Sequence, residues 1–207
     1  MDAERLASAV ARQLFVELEA SGRHVHVTEQ QAKQLFGKPL TPKRPLSQPG
    51  QFLAEQRVRV VGPKGEFRDV AVLGPERKAA QVEISLTDAR TLGIQAPVRL
   101  SGDIQGSPGA TLIGSRGWVE LETGVIVAQR HIHLTPEAAE RFGVTDRQKV
   151  KLRTLTGRPV IFEDVIVRIS PDFAPYAHLD YDEANDSGIF FQEPAMPYPQ
   201  QPKPQGT

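Results

Sequence analysis

Two hexapeptides, Arg-His-Val-His-Val-Thr at residues 23–28 and Arg-His-Ile-His-Leu-Thr at 130–135, hold four of the five histidines in this chain. In an extended strand residues i and i+2 project from the same face. His24 and His26, and likewise His131 and His133, therefore present two imidazoles side by side, a familiar start for a metal site. Neutral imidazole without thiolate suits zinc, cobalt, nickel or iron. A lone His-x-His carries little weight, whereas two copies at corresponding places in two halves carry much more. A catalytic zinc commonly takes three protein ligands and keeps a fourth position open. The fifth histidine, His178 in Tyr-Ala-His-Leu-Asp, completes three ligands with one pair. The other pair needs a carboxylate, and Glu83 in Gln-Val-Glu-Ile-Ser offers one, on the strand face opposite Val82 and Ile84. An acidic residue flanked by apolar ones equally fits a solvent-facing position. Arg77, in the loop before that strand, is an anion-binding candidate because guanidinium matches phosphate bidentately. A solvated loop arginine is the competing reading.

The elements that must position these groups are legible around them. Thr28 reads as a helix N-cap with Gln31 three residues on, a capping-box pattern, and the short helix that follows stops at Gly37. Thr135 caps likewise, Pro136 fits the first helical position, and that helix stops at Gly143. Strand, cap, short helix and glycine thus recur, which predicts two related halves. From residue 56 onward short alternating stretches dominate, among them 67–74, 81–87, 124–134, 149–155, 158–170 and 176–182, separated by turn residues. Such spacing argues for small β-barrels or sandwiches rather than a parallel α/β sheet. One helical insert is expected at 87–94. The glycine-rich stretch 101–117 lacks a Gly-Lys-Ser/Thr ending, so it is a hairpin loop and not a phosphate-binding Walker loop. Residues 38–50 are proline-rich and irregular. At the N-terminus, Leu6, Val10, Leu14 and Leu18 recur every four positions beside Ala3, Ala7 and Ala11, predicting an amphipathic helix over 2–19 that packs on its own domain or docks on another protein. The segment 193–207, rich in proline, is expected to be disordered.

Composition narrows the function classes. The chain has 207 residues, with 25 basic and 25 acidic side chains and a formal net charge of zero. Without a basic patch or a run of like charge, neither a nucleic-acid footprint nor a polybasic membrane surface is indicated. No apolar stretch approaches the ~18–20 residues that span a bilayer, and the N-terminus lacks the pattern of a secretory signal. The chain contains no cysteine, so disulfides, thiolate-bound zinc and a cysteine nucleophile are excluded. A protein of the cell interior is expected.

The runs 61–94, 124–139 and 165–185 resemble the PduL-type phosphate propanoyltransferases, the phosphotransacylases of bacterial microcompartments. The likeness extends from the N-terminal segment to about residue 190, and all five histidines fall on its motif positions. It implies an enzyme that interconverts a short-chain acyl-CoA (propanoyl-CoA or acetyl-CoA) plus phosphate with acyl-phosphate plus CoA. It also implies a mainly β fold of two small β-barrels capped by short α-helices, with a two-zinc site between them. Under this resemblance His24, His26 and Glu83 hold one zinc, whose remaining position meets the CoA sulfur, and His131, His133 and His178 hold the other. Arg77 binds phosphate as a catalytic residue, while Ser21, Leu73 and Asn185 contact CoA. The family often carries a basic residue where Ala71 stands here. One barrel is expected from 20–22 plus 129–192 and the other from 23–128. Residues 1–19 resemble an encapsulation peptide, which implies microcompartment shell or core proteins as partners, a location in the microcompartment lumen and a homo-oligomer. Two other readings of the histidines are a mononuclear His-x-His hydrolase or oxygenase, and a scaffold protein that metal merely staples.

Overall fold

The computed structural model describes residues 10, 14–189 and, as backbone, 193–199. Its order is β1 (Val16–Ser21), β2 (His24–His26), α1 (Glu29–Phe36), β3 (Pro42–Pro45), β4 (Phe52–Val61), β5 (Glu66–Gly74), β6 (Gln81–Ile84), α2 (Leu86–Leu92), β7 (Val98–Arg99), β8 (Ala110–Ile113), β9 (Trp118–Leu121) and β10 (Val125–Ala128). There follow β11 (His131–Leu134), α3 (Pro136–Phe142), β12 (Lys149–Thr154), β13 (Ile161–Ile169), β14 (Tyr176–Asp180), α4 (Tyr181–Asp186) and β15 (Glu193–Pro199). The fold is mainly β with short helices, as expected.

The chain divides into two units. The barrel unit comprises 1–20, 130–179 and 183–207, and the sheet unit comprises 21–129 and 180–182. The barrel closes in the order β1-β14-β11-β13-β12-β15. The sheet unit carries a curled nine-stranded sheet in the order β7-β10-β6-β2-β5-β4-β8-β9, with β3 on β4. Each unit has its own apolar core: Val25, Leu35, Val58, Val72, Val82 and Leu112 lie in that of the sheet unit. Leu18, Ile132, Leu134, Leu152, Val167 and Leu179 lie in that of the barrel.

The repeat seen in the hexapeptides extends through both units. β2 pairs parallel with β5 and antiparallel with β6, and β11 pairs parallel with β13 and antiparallel with β14. In each unit a short helix follows the hexapeptide strand, and two antiparallel strands come next, β4 with β5 and β12 with β13. Phe-Arg-Asp-Val-Ala-Val at 67–72 answers Phe-Glu-Asp-Val-Ile-Val at 162–167. Asp69 and Asp164 both sit at φ 55°, a left-handed conformation that aspartate tolerates better than bulky residues. The capping chemistry holds as read. Thr28 accepts from the Gln31 amide and Gln31 returns the bond, Thr135 accepts from the Ala138 amide, and the glycines after both helices are left-handed at φ 74° and 65°.

Two expectations are corrected. The N-terminal helix does not run to residue 19, because Val16–Ser21 form β1 with Val16 and Leu18 in the barrel core. The helical reading of residues 1–9 and 11–13 lies outside the described residues. The expected disorder of 193–207 does not hold for 193–199, which form β15 between β1 and β12; residues 200–207 lie outside the described residues.

Candidate metal centres

Strand alternation separates core from chemistry. In β2, Val25 points into the apolar core and His24 and His26 point to the other face; in β11, Ile132 and Leu134 are core and His131 and His133 are opposite. That second face is also buried, with His24 at 7% exposure, His26 at 2% and Glu83 at 7%. Burying polar groups is costly unless each finds a partner, so the partners define the site.

Glu83 does not face solvent. It stands directly across from His24 in the β2–β6 ladder, and its Oε1 lies 3.6 Å from His24 Nε2 and 3.9 Å from His26 Nε2. His24 Nδ1 lies 2.8 Å from the Gly22 carbonyl and His26 Nδ1 lies 3.2 Å from the Leu73 carbonyl. Carbonyls only accept, so each Nδ1 carries the hydrogen and each Nε2 is turned to Glu83, the orienting contact that metal-binding histidines usually make. In the barrel unit His178 stands directly across from His131. The imidazole centroids of His131, His133 and His178 lie 4.7–5.1 Å apart. His178 Nδ1 is 3.7 Å from Glu19 Oε2, and Phe173 packs against His133 with 4.2 Å between ring centroids.

In each triad one ligand atom per residue lies within 4.8 Å of the others. The donor sets, two imidazoles with a carboxylate and three imidazoles, fit zinc or a related first-row cation, and three protein ligands leave a position open. Among the described residues these are the groupings of at least three such side chains that could hold an ion.

Arg77 reaches the Glu83 triad through residues that sequence reading missed. Its backbone N–H donates to Val27 at 2.8 Å, and its Nη1 donates to Ser101 Oγ at 3.2 Å. Ser101 in turn donates to Glu83 Oε1 at 3.0 Å. Gln81 donates from Nε2 to the same oxygen and to Ser101 at 2.8 Å, while its Oε1 accepts from the Gly102 amide at 2.7 Å. Gln81 had a signal: it is two residues before Glu83, hence on the same strand face. Ser101 had none, since it arrives from a loop beyond β7. Of the remaining expected contacts, Ser21 ends β1 and is half-buried, Leu73 lies near the end of β5, and Asn185 is exposed on α4.

The electrostatics follow from this crowding. Burial is the largest influence on His24 and pushes its pKa down, yet the Glu83 carboxylate and the Gly22 carbonyl together hold it above the ordinary histidine value. Burial, the adjacent His24 and Arg77 hold His26 well below that value. Burial would raise Glu83, but His24, His26 and the Ser101 hydroxyl outweigh it and keep the carboxyl well below its usual range. The pocket thus favours the carboxylate form of Glu83 and splits the two imidazoles, His24 upward and His26 downward.

Comparison with known proteins bears on the family of the chain. The family model for phosphate propanoyltransferase matches residues 17–189. A phosphate propanoyltransferase of Enterococcus faecalis is 54% identical over 175 residues, covering 84% of this chain and 83% of the relative. One from Clostridioides difficile is 47% identical over 187 residues, covering 89% and 90%. One from Thermotoga maritima is 51% identical over 168 residues, covering 80% of each.

Proposed function

The chain belongs to the phosphate propanoyltransferase family, and from that premise we propose that it is an acyltransferase joining the acyl group of propanoyl-CoA or acetyl-CoA to phosphate, with acyl-phosphate and CoA as products. The observation that carries this reading is the pair of His-x-His dyads, each completed by a third ligand directly across the ladder, with Arg77 tied to one of them through Ser101.

His24, His26 and Glu83 would hold one zinc ion and His131, His133 and His178 a second. When bound, such ions act as Lewis acids on the thioester carbonyl and as soft partners for the departing thiolate. The residues supply the rest. Arg77 binds phosphate bidentately, offsets its charge and orients one oxygen toward the acyl carbon. Ser101 and Gln81 hold Glu83 in place and keep the guanidinium from collapsing onto the carboxylate. Ser21, Leu73 and Asn185 contact CoA. A phosphate oxygen attacks the thioester carbon, the C–S bond breaks and CoA leaves as thiolate. Because the chain contains no cysteine, an acyl-cysteine intermediate is impossible, and the reading proposed is direct attack by phosphate. Ping-pong exchange with a trapped acyl-enzyme would contradict it.

The segment that precedes β1, residues 1–15 of the expected 1–19, acts as an encapsulation peptide for shell or core proteins and places a homo-oligomer in a microcompartment lumen. Among the described residues no helix is long and apolar enough to cross a membrane. Deleting residues 1–15, which spares β1, leaves catalysis intact and abolishes co-purification with shells; retained encapsulation counts against this role.

The deciding experiment pairs metal analysis with an assay for acyl-phosphate formation from short acyl-CoA and phosphate. Two zinc ions per chain with acyl-phosphate formed is the expected result. One ion per chain favours a mononuclear hydrolase or oxygenase, and two ions without transfer favour a stapled scaffold.

A further inference from the structure

Both hexapeptides open on an arginine, and neither the metal ligands nor phosphate binding accounts for it. In the sheet unit Arg23 donates from Nε to Asp88 Oδ2 at 3.0 Å and from Nη2 to Oδ1 at 2.7 Å. Its guanidinium lies over Phe67, 4.2 Å from the ring centroid. In the barrel unit Arg130 donates from Nη1 to Glu183 Oε1 at 2.5 Å and from Nε to the Glu163 carbonyl at 2.7 Å. Its guanidinium lies 5.7 Å from the centroid of Phe162.

The parts correspond one for one. Each arginine directly precedes the first histidine of its dyad. Each phenylalanine stands four residues before the position across from that histidine, 67 to Ala71 and 162 to Ile166. Each carboxylate stands five residues after the third member of the triad, 83 to 88 and 178 to 183. In both units that carboxylate sits on the helix following the third ligand's strand, α2 or α4. Asp88 is also part of the turn itself, since its Oδ2 accepts from the Ser85 amide at 3.3 Å and Ser85 caps α2.

We propose that each arginine–phenylalanine–carboxylate set is a clamp that positions the third ligand against its His-x-His dyad, so that Arg23 and Arg130 are positioning residues for the metal centres. This rests on the metal reading above. The third ligand comes from a strand far along the chain, and strand pairing alone joins it to the dyad. A guanidinium–carboxylate pair adds a second link one residue before the dyad and five beyond the third ligand, and its planar geometry fixes orientation as well as distance. Stacking on phenylalanine holds the guanidinium plane. Lysine would keep the charge and lose both constraints. A partly exposed ion pair is poor evidence of a stability role, because such pairs are worth little; its recurrence beside both triads points to positioning.

The test is Arg23→Lys and Arg130→Lys in the full chain, with zinc affinity measured by competition against a chromophoric chelator. His131→Ala and His24→Ala backgrounds allow each centre to be titrated alone. Arg23→Lys should weaken zinc at the Glu83 centre about tenfold, the lower end of what removing an orienting partner does, and leave the His178 centre unchanged. Arg130→Lys should do the reverse. Arg59→Lys, which disturbs the Arg59–Glu66 pair of the same unit, controls for stability and should leave both affinities alone. Should Arg23→Lys fail to fold, Asp88→Asn carries the same readout. Unchanged zinc affinity with a lowered Tm would make the clamp merely structural and overturn the proposal. A wild-type chain that binds no zinc would instead overturn the metal reading beneath it.

Discussion

The two triads sit at the same ladder position of the same strand arrangement and yet present different chemistry. Across from His24 stands Glu83, and across from His131 stands His178. A divalent ion held by two imidazoles and a carboxylate keeps one net positive charge, and one held by three imidazoles keeps two. The surroundings complement that difference. Glu83 is linked through Ser101 to the cationic Arg77, whereas His178 has the carboxylate of Glu19 nearby. A duplicated scaffold can therefore differentiate by one residue per copy, provided the neighbours change with it.

That comparison can be broken. The largest effect should follow His131→Ala or His133→Ala: about one zinc per chain is lost and turnover drops ~10³-fold, the scale of several kcal/mol of transition-state charge stabilisation, with the circular dichroism retained. Near-normal turnover with full zinc would show that the three-histidine centre is not catalytic. Glu83→His makes the two centres alike. Zinc should stay bound, since three imidazoles suffice, but kcat should fall about 10- to 100-fold because Gln81 and Ser101 lose their acceptor. Wild-type kcat would mean that ligand number alone matters. Arg77→Ala should raise the KM for phosphate about 10- to 100-fold, the range expected for losing hydrogen bonds to a charged group, with zinc content unchanged. Unaltered kinetics would return Arg77 to an ordinary loop role.

A smaller effect concerns protons. His24 is held above the ordinary histidine value and His26 well below it. Ligands must be deprotonated to bind metal, and His24 is held above the ordinary histidine value, so zinc entering the Glu83 centre should release protons around pH ~6.5 and its affinity should rise with pH through that range. Calorimetric titration in buffers of different ionisation enthalpy reads this directly, and zero release would contradict it. In the metal-free fold His24, held above its ordinary value, loses its contribution as pH rises, and His26 works the other way. Its folded pKa is depressed, so the unfolded chain binds the extra proton and stability is lost as pH falls below ~6.5. The smallest difference lies in the caps. Thr28→Ala and Thr135→Ala should each cost about 1 kcal/mol in denaturant unfolding, Thr28 more, because its capping box is reciprocal and Thr135 has proline at the first helical position.

Much of the site was legible because it is local. The dyads were visible at a spacing of two, whereas His178, Glu83 and Arg77 were candidate residue types whose roles came from the family resemblance. The failures were also physical. Leu14 and Leu18 continue a spacing of four, which fits a helix face and, being even, also fits one face of a strand; pairing in the barrel decides for β1 from Val16 onward. In β15, Pro197 and Pro199 recur every second residue, so their two missing amides fall on one side of the strand and Pro194's on the other, which leaves enough ladder for pairing although a proline count alone reads as disorder.

Residue spacing along the chain determined which imidazoles share a face, where α1 and α3 begin and end, and that the pattern occurs twice, because these depend on backbone geometry over a few residues. Only the tertiary structure decided that Glu83 and His178 are counterparts, that Ser101 and Gln81 join Arg77 to one triad, and that the repeated arginines grip Asp88 and Glu183. Apart from Gln81, two residues from Glu83, those partners lie 18 to 65 residues apart, and tertiary folding, which no local spacing encodes, brings them together.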